Sequence, residues 1–158
     1  MGKLTYLVIH CLDTPPNMHV TKKMLQDWHM SPKPRGRGWD RLGYSDIIHR
    51  DGTVENVTAY DGDDLVESDE ITWGATGVNS VSRHISLEGG KGENPTKEFG
   101  EMFTPEQANS LVKYVKDFLS KHPTCKIAGH YNFAAKPCPN FNVRKFFLGF
   151  GFDAKNLM

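Results

Sequence analysis

Three side chains have the types and settings of metal ligands. His10 follows the apolar run Leu7-Val8-Ile9, His130 follows Lys126-Ile127-Ala128-Gly129, and Cys138 stands between Pro137 and Pro139. A proline on each side denies that last segment a regular helix, so Cys138 is expected on an irregular loop. If the two apolar runs are neighbouring strands, their ends converge and bring two imidazoles and a thiol together. This mixed nitrogen and sulfur set suits zinc. Three protein ligands leave a fourth position open, which is the pattern of a catalytic rather than a structural site. Each residue also has a plainer role open to it, as a core histidine bonded to a carbonyl or a buried cysteine serving as a small apolar group.

The elements that must position these residues are legible in outline. Residues 3–10 form a near-continuous apolar run, as expected of a central strand covered on both faces. Residues 44–50 and 53–57 read as two strands joined at an Asp51-Gly52 hairpin turn. Residues 83–88 alternate apolar and polar around Ile85 and Leu87, which predicts a further strand. Thr21 can cap a short helix that packs Met24, Leu25 and Trp28 on the core, with His29 at its end. Residues 31–43 hold two prolines and three glycines and must be an extended loop. Residues 60–72 are acidic and read as an exposed connector, since the ligand order and glycine of a calcium-binding EF-hand loop are absent. Gly89-Gly90-Lys91-Gly92 lacks the spacing and following helix of a phosphate loop and reads as a flexible turn. Thr104-Pro105-Glu106-Gln107 carries a capping box, with proline at the first helical position. It opens a helix of about 17 residues with Ala108, Leu111, Val112, Val115, Phe118 and Leu119 on one stripe. A short closing helix is expected over residues 143–150.

Composition narrows the function classes. The 158 residues are 38% hydrophobic and 24% charged, ordinary values for a soluble globular chain. A formal net charge of zero argues against nucleic acid or an anionic membrane as a partner held by bulk electrostatics. Lys33, Arg35, Arg37 and Arg41 cluster in the long loop, as a local basic patch or simply a solvated loop. No apolar run is long enough to span a bilayer, and the N-terminus shows no cleavable signal pattern. The expectation is a protein made and left in the cytoplasm unless other proteins export it. Three cysteines, Cys11, Cys125 and Cys138, are too few for a disulfide framework.

The order and spacing of several short motifs carry a resemblance. They are Val8-Ile9-His10-Cys11, Trp28-His29, Gly43-Tyr44 leading to Ile47-Ile48, and Arg50-Asp51-Gly52-Thr53-Val54. Asn79 with Ser82, Gly89-Gly90, Phe103-Thr104-Pro105, and His130 through Lys136-Pro137-Cys138-Pro139 follow. Together they resemble the zinc amidases that cleave peptidoglycan, a family shared by small bacteriophage lysozymes and peptidoglycan recognition proteins. The resemblance implies one α/β domain over residues 1–158, with a central mixed β-sheet flanked by helices. It also implies His10, His130 and Cys138 as ligands of Zn2+, and Tyr44 and Lys136 as the two catalytic positions that do not bind metal. The implied reaction is hydrolysis of the amide between N-acetylmuramic acid and L-alanine in bacterial peptidoglycan, and the expected role is that of a phage endolysin causing cell lysis; a monomer is expected.

The sequence departs from the family in its middle. Gly74 falls where relatives often carry histidine, and His84 falls where many carry a small residue. His84 is expected either to reach the space left at Gly74 or to face solvent from its strand. Other readings stay open: a module that binds peptidoglycan without cutting it, a delivered toxin, a wall-recycling enzyme, or an amidase that also binds a regulatory protein such as a phage RNA polymerase. The presence of Cys138 with Tyr44 and Lys136 favours an enzyme, because non-catalytic members of the family usually lack the ligand cysteine.

Overall fold

The structure is a computed structural model that describes residues 2–92 and 98–158. Its strands and helices, in chain order, are β1 (Gly2–Lys3), β2 (Tyr6–Cys11), α1 (Lys22–Met30), β3 (Asp46–Ile48), β4 (Val54–Asn56), β5 (Leu65–Val66), β6 (Ser82–Leu87), α2 (Phe99–Met102), α3 (Pro105–Lys121), β7 (Lys126–Gly129) and α4 (Val143–Gly149). Five strands form one mixed sheet in the order β4-β3-β6-β2-β7. The apolar run of β2 explains its place: it pairs in parallel with β6 on one side and β7 on the other, and is covered on both faces. β3 is parallel to β6, and β4 returns antiparallel through the expected hairpin.

Alternation along β2 divides the molecule into two sides. Leu7, Ile9 and Cys11 join Ile48, Ile85, Leu87 and Ile127 in the main core, against Leu111, Val115 and Phe118 of α3 and Phe147 of α4. Ile47 faces a second, smaller core with Val20, Leu25, Leu42 and Val57, and Tyr44 packs at its margin. Helix α3 begins as its capping box dictates: Thr104 Oγ1 accepts from Gln107 N, and Gln107 Oε1 accepts from Thr104 N. The Gln107 amide is itself buried and donates to the carbonyls of Ile48 and Glu88, so the helix start is tied to the ends of β3 and β6.

Four expectations need correction. Trp28 is 37% exposed, because Leu25 and His29, four residues apart, occupy the inward stripe of α1. The connector over residues 60–72 contains β5, which pairs antiparallel with β1. Strand β6 is buried on both faces rather than half-exposed. The glycine turn after it is fixed by contacts: Gly90 has φ 77°, and a side chain there would meet Cys11 Cβ at 2.8 Å and Phe103 at 2.7 Å.

Candidate metal centre

The parallel pairing of β2 with β7 sets Ile9 beside Gly129, so His10 and His130 leave the sheet side by side. Their rings lie 4.6 Å apart between centroids. After His130 the chain makes a 3-10 turn, His130–Asn132, and Tyr131 N donates to the Cys138 carbonyl. That bond folds the proline-flanked loop back over the strand end. Asn140, at φ 70°, secures it from the far side by donating to the carbonyls of Gly90 and Gly92. Cys138 Sγ then sits 3.9 Å from His10 Nδ1 and accepts from Cys11 N at 3.3 Å. One donor atom from each of His10, His130 and Cys138 falls within 4.8 Å of the other two. Ligands of a tetrahedral zinc ion lie roughly 3.4–3.6 Å from one another, so this set needs only a small contraction.

The imidazoles are poised as neutral donors. Burial, then the neighbouring His84, His130 and Lys136, holds His10 well below the usual histidine range. Burial and then Lys136 lower His130 to about 4. Metals bind neutral imidazole, so these shifts favour coordination over protonation. The Cys138 thiol is pushed up by its hydrogen-bonded neighbour Cys11 and by burial, so a proton must leave when a metal arrives.

Tyr44 enters from the loop before β3, its ring 5.1 Å from that of His10. Burial of the hydroxyl raises its pKa, so it stays a hydrogen-bond donor at neutral pH. Lys136 is exposed on the loop before Cys138. Tyr44, Lys136 and His130 line one cleft of about 260 Å³, together with His29, Arg37, Trp39, Trp73 and Gly74. The structure thus brings all five residues singled out from the sequence to one place.

Residues 1–141 match the pattern of the family described as N-acetylmuramoyl-L-alanine amidase. The chain belongs to that family. Among the relatives of this amidase are an endolysin of Enterobacteria phage K11, 32% identical over 87% of this chain and 81% of its own, and an endolysin of Enterobacteria phage T3, 31% identical over 88% and 82%. Among solved structures, the N-acetylmuramoyl-L-alanine amidase LysCS from Clostridium intestinale shares the fold at a TM-score of 0.68 and 23% identity, over 96% of this chain and 86% of its own.

The amidase contains contacts near the site that the motifs did not announce. His84 is fully buried rather than solvent-facing, and its Nδ1 lies 2.9 Å from His10 Nε2. A Cβ at Gly74 would fall 2.4 Å from the His84 ring, so the absence of a side chain at 74 makes room for that imidazole. The signal available was the pair of departures from the resemblance noted above, histidine at 84 and glycine ten positions earlier at 74. His29 accepts from Gly43 N through Nδ1 and anchors the entry to Tyr44. Asn140 carried no sequence signal, because its role depends on a turn distant in the chain.

Proposed function

We propose that this chain hydrolyses the amide between N-acetylmuramic acid and L-alanine in bacterial peptidoglycan, as a phage endolysin, with zinc held by His10, His130 and Cys138. The observation that carries the reading is the convergence of two neutral imidazoles and a thiol beside Tyr44 and Lys136, in a chain of the amidase family. The donor set fits zinc: imidazole and thiolate without a carboxylate suit a borderline-soft ion better than magnesium or calcium. A zinc ion held there supplies Lewis acidity toward the scissile carbonyl and lowers the pKa of a water.

The chain's own groups supply the remainder. The Tyr44 hydroxyl remains protonated and can donate to the negative charge that grows on the carbonyl oxygen. The Lys136 side chain adds a second donor at the mouth of the same cleft. Trp39 and Trp73 wall the cleft with flat faces, each carrying a cation, Arg37 over Trp39 at 5.0 Å and Arg41 over Trp73 at 5.1 Å. These walls suit a ligand with both a sugar ring and charged peptide groups. Of the three donors, His130 lines this cleft, and His10 lies buried directly behind it, its ring 4.6 Å from that of His130.

Product analysis tests the reaction. Purified peptidoglycan is digested, and soluble products are identified by mass spectrometry. The reading expects stem peptides that begin with a free L-alanine amine. Tight binding to the wall with no such peptides would favour the binding module, and cleavage at another bond would overturn the assigned reaction.

A further inference from the structure

The contacts behind His10 form a chain of determined polarity. Asn79 Oδ1 accepts from the backbone N–H of Ala75 at 2.8 Å, which identifies that atom as the amide oxygen. The same oxygen faces His84 Nε2 at 2.9 Å. Two acceptors cannot share that contact, so His84 carries its proton on Nε2. A neutral imidazole protonated there has a bare Nδ1, and that atom faces His10 Nε2 at 2.9 Å. The proton of this second contact therefore sits on His10 Nε2. It follows that His10 Nδ1 is bare, and Nδ1 is the atom turned toward Cys138 Sγ.

We infer that His84 is a positioning residue: with Asn79 it fixes the tautomer of His10, so that the lone pair on Nδ1 is presented to the metal centre. The device depends on Gly74. The ring of His84 fills the space a Cβ at that position would need, at 2.4 Å from both its Cγ and its Nδ1. His84 reaches neither the cleft nor solvent, so it acts only through His10. Partners of this kind, behind a ligating histidine, orient the ring and raise its basicity, and their loss typically costs 10–100-fold in metal affinity. The inference rests on the zinc reading for its purpose but not for its geometry.

The test has two readouts. Nitrogen-15 correlation spectra of the metal-free protein report the tautomer of each histidine without any need for activity. His10 and His84 are both expected with the proton on Nε2. A His10 proton on Nδ1, or an even mixture of the two forms, overturns the inference. Zinc affinity is then measured by competition with a chromophoric chelator, for the native chain and for His84→Phe, which keeps a ring but removes the acceptor. The expected result is mixed His10 tautomers and zinc binding about 10–100-fold weaker. Unchanged tautomer and affinity overturn it. If His84→Phe fails to fold, Gly74→His with His84→Gly returns an imidazole to the same volume from the opposite side. That variant is expected to recover zinc affinity relative to His84→Gly alone, and equal weakness in the two contradicts the inference. A native chain that binds no zinc but shows the expected tautomers refutes the zinc reading alone.

Discussion

At the scale of single residues, the proposed site separates groups that would hold zinc from groups that would act on the substrate. His10, His130 and Cys138 are placed by strand ends and a pinned loop, whereas Tyr44 and Lys136 reach the same space without belonging to the cluster of donors. Tyr44→Phe keeps the ring against His10 and removes only the hydroxyl. If that hydroxyl stabilises developing charge, kcat falls by about 10²-fold while zinc content and thermal midpoint stay unchanged. Steady-state kinetics on a soluble muropeptide measures this, and a kcat within about twofold of the native value would remove Tyr44 from the catalytic set. The residue types of the site were legible in the sequence, because histidine at a strand end and cysteine between prolines are unusual settings. The imidazole behind His10 was legible only as a departure from pattern. Its meaning depends on a contact across parallel strands that local spacing does not encode.

At the scale of elements, the strand ends matter more than the strands. The turn after β6 must pass close to β2, and Gly90 permits it with a positive φ and no side chain. Gly90→Ala is expected to cost about 2 kcal/mol or more, through left-handed strain together with a clash against Cys11 and Phe103. Urea unfolding measures it, and a loss under about 0.5 kcal/mol would show that the turn relaxes freely. The same region holds a second group of possible metal donors, His19, His49 and Glu88. The donor atoms of Glu88 and His49 are already engaged, and His19 is largely exposed. Glu88 Oε2 accepts from Val20 N and faces His49 Nδ1, Oε1 accepts from Arg50 N, and His49 Nε2 faces Glu55. This is an ionic tie between β6, the β3–β4 hairpin and the approach to α1. The capping box, the hairpin turn and the apolar run of β2 were read directly because each is a local signal. The β1–β5 pair and the outward face of Trp28 were not, because a two-residue strand has no period and a short amphipathic helix leaves its rotation to its neighbours.

At the scale of the whole molecule, the histidines make stability depend on pH in two directions. Burial lowers His84 to about 3 and, with Arg37, lowers His29 to about 4; His130 is likewise lowered to about 4, and His10 shifts the same way. A histidine whose folded pKa lies below its unfolded value near 6.5 contributes stability in full above that value and loses it as pH falls. His49 is the opposite case. Burial lowers it, but hydrogen bonds to Glu88 and Glu55 outweigh burial and raise it. Its contribution is complete below the unfolded value and fades as pH rises through the folded one. The metal-free protein should therefore lose thermal midpoint steeply between pH 6.5 and about 4, and more gently on the alkaline side unless His49→Gln has removed that tie. A midpoint flat from pH 7 to 4 would contradict the buried neutral histidines. The sheet order that gathers these groups was only partly legible, since β2 announced itself as central while its neighbours are fixed by crossovers far apart in the chain.

The most direct test of the zinc-dependent account is titration of the metal-free protein with zinc while release of L-alanine amines from peptidoglycan is followed. The account predicts no activity at the start, a linear rise, and a break at one equivalent of zinc, with Cys138→Ala remaining inactive throughout. Full activity in the metal-free protein, or a native response in Cys138→Ala, would contradict it.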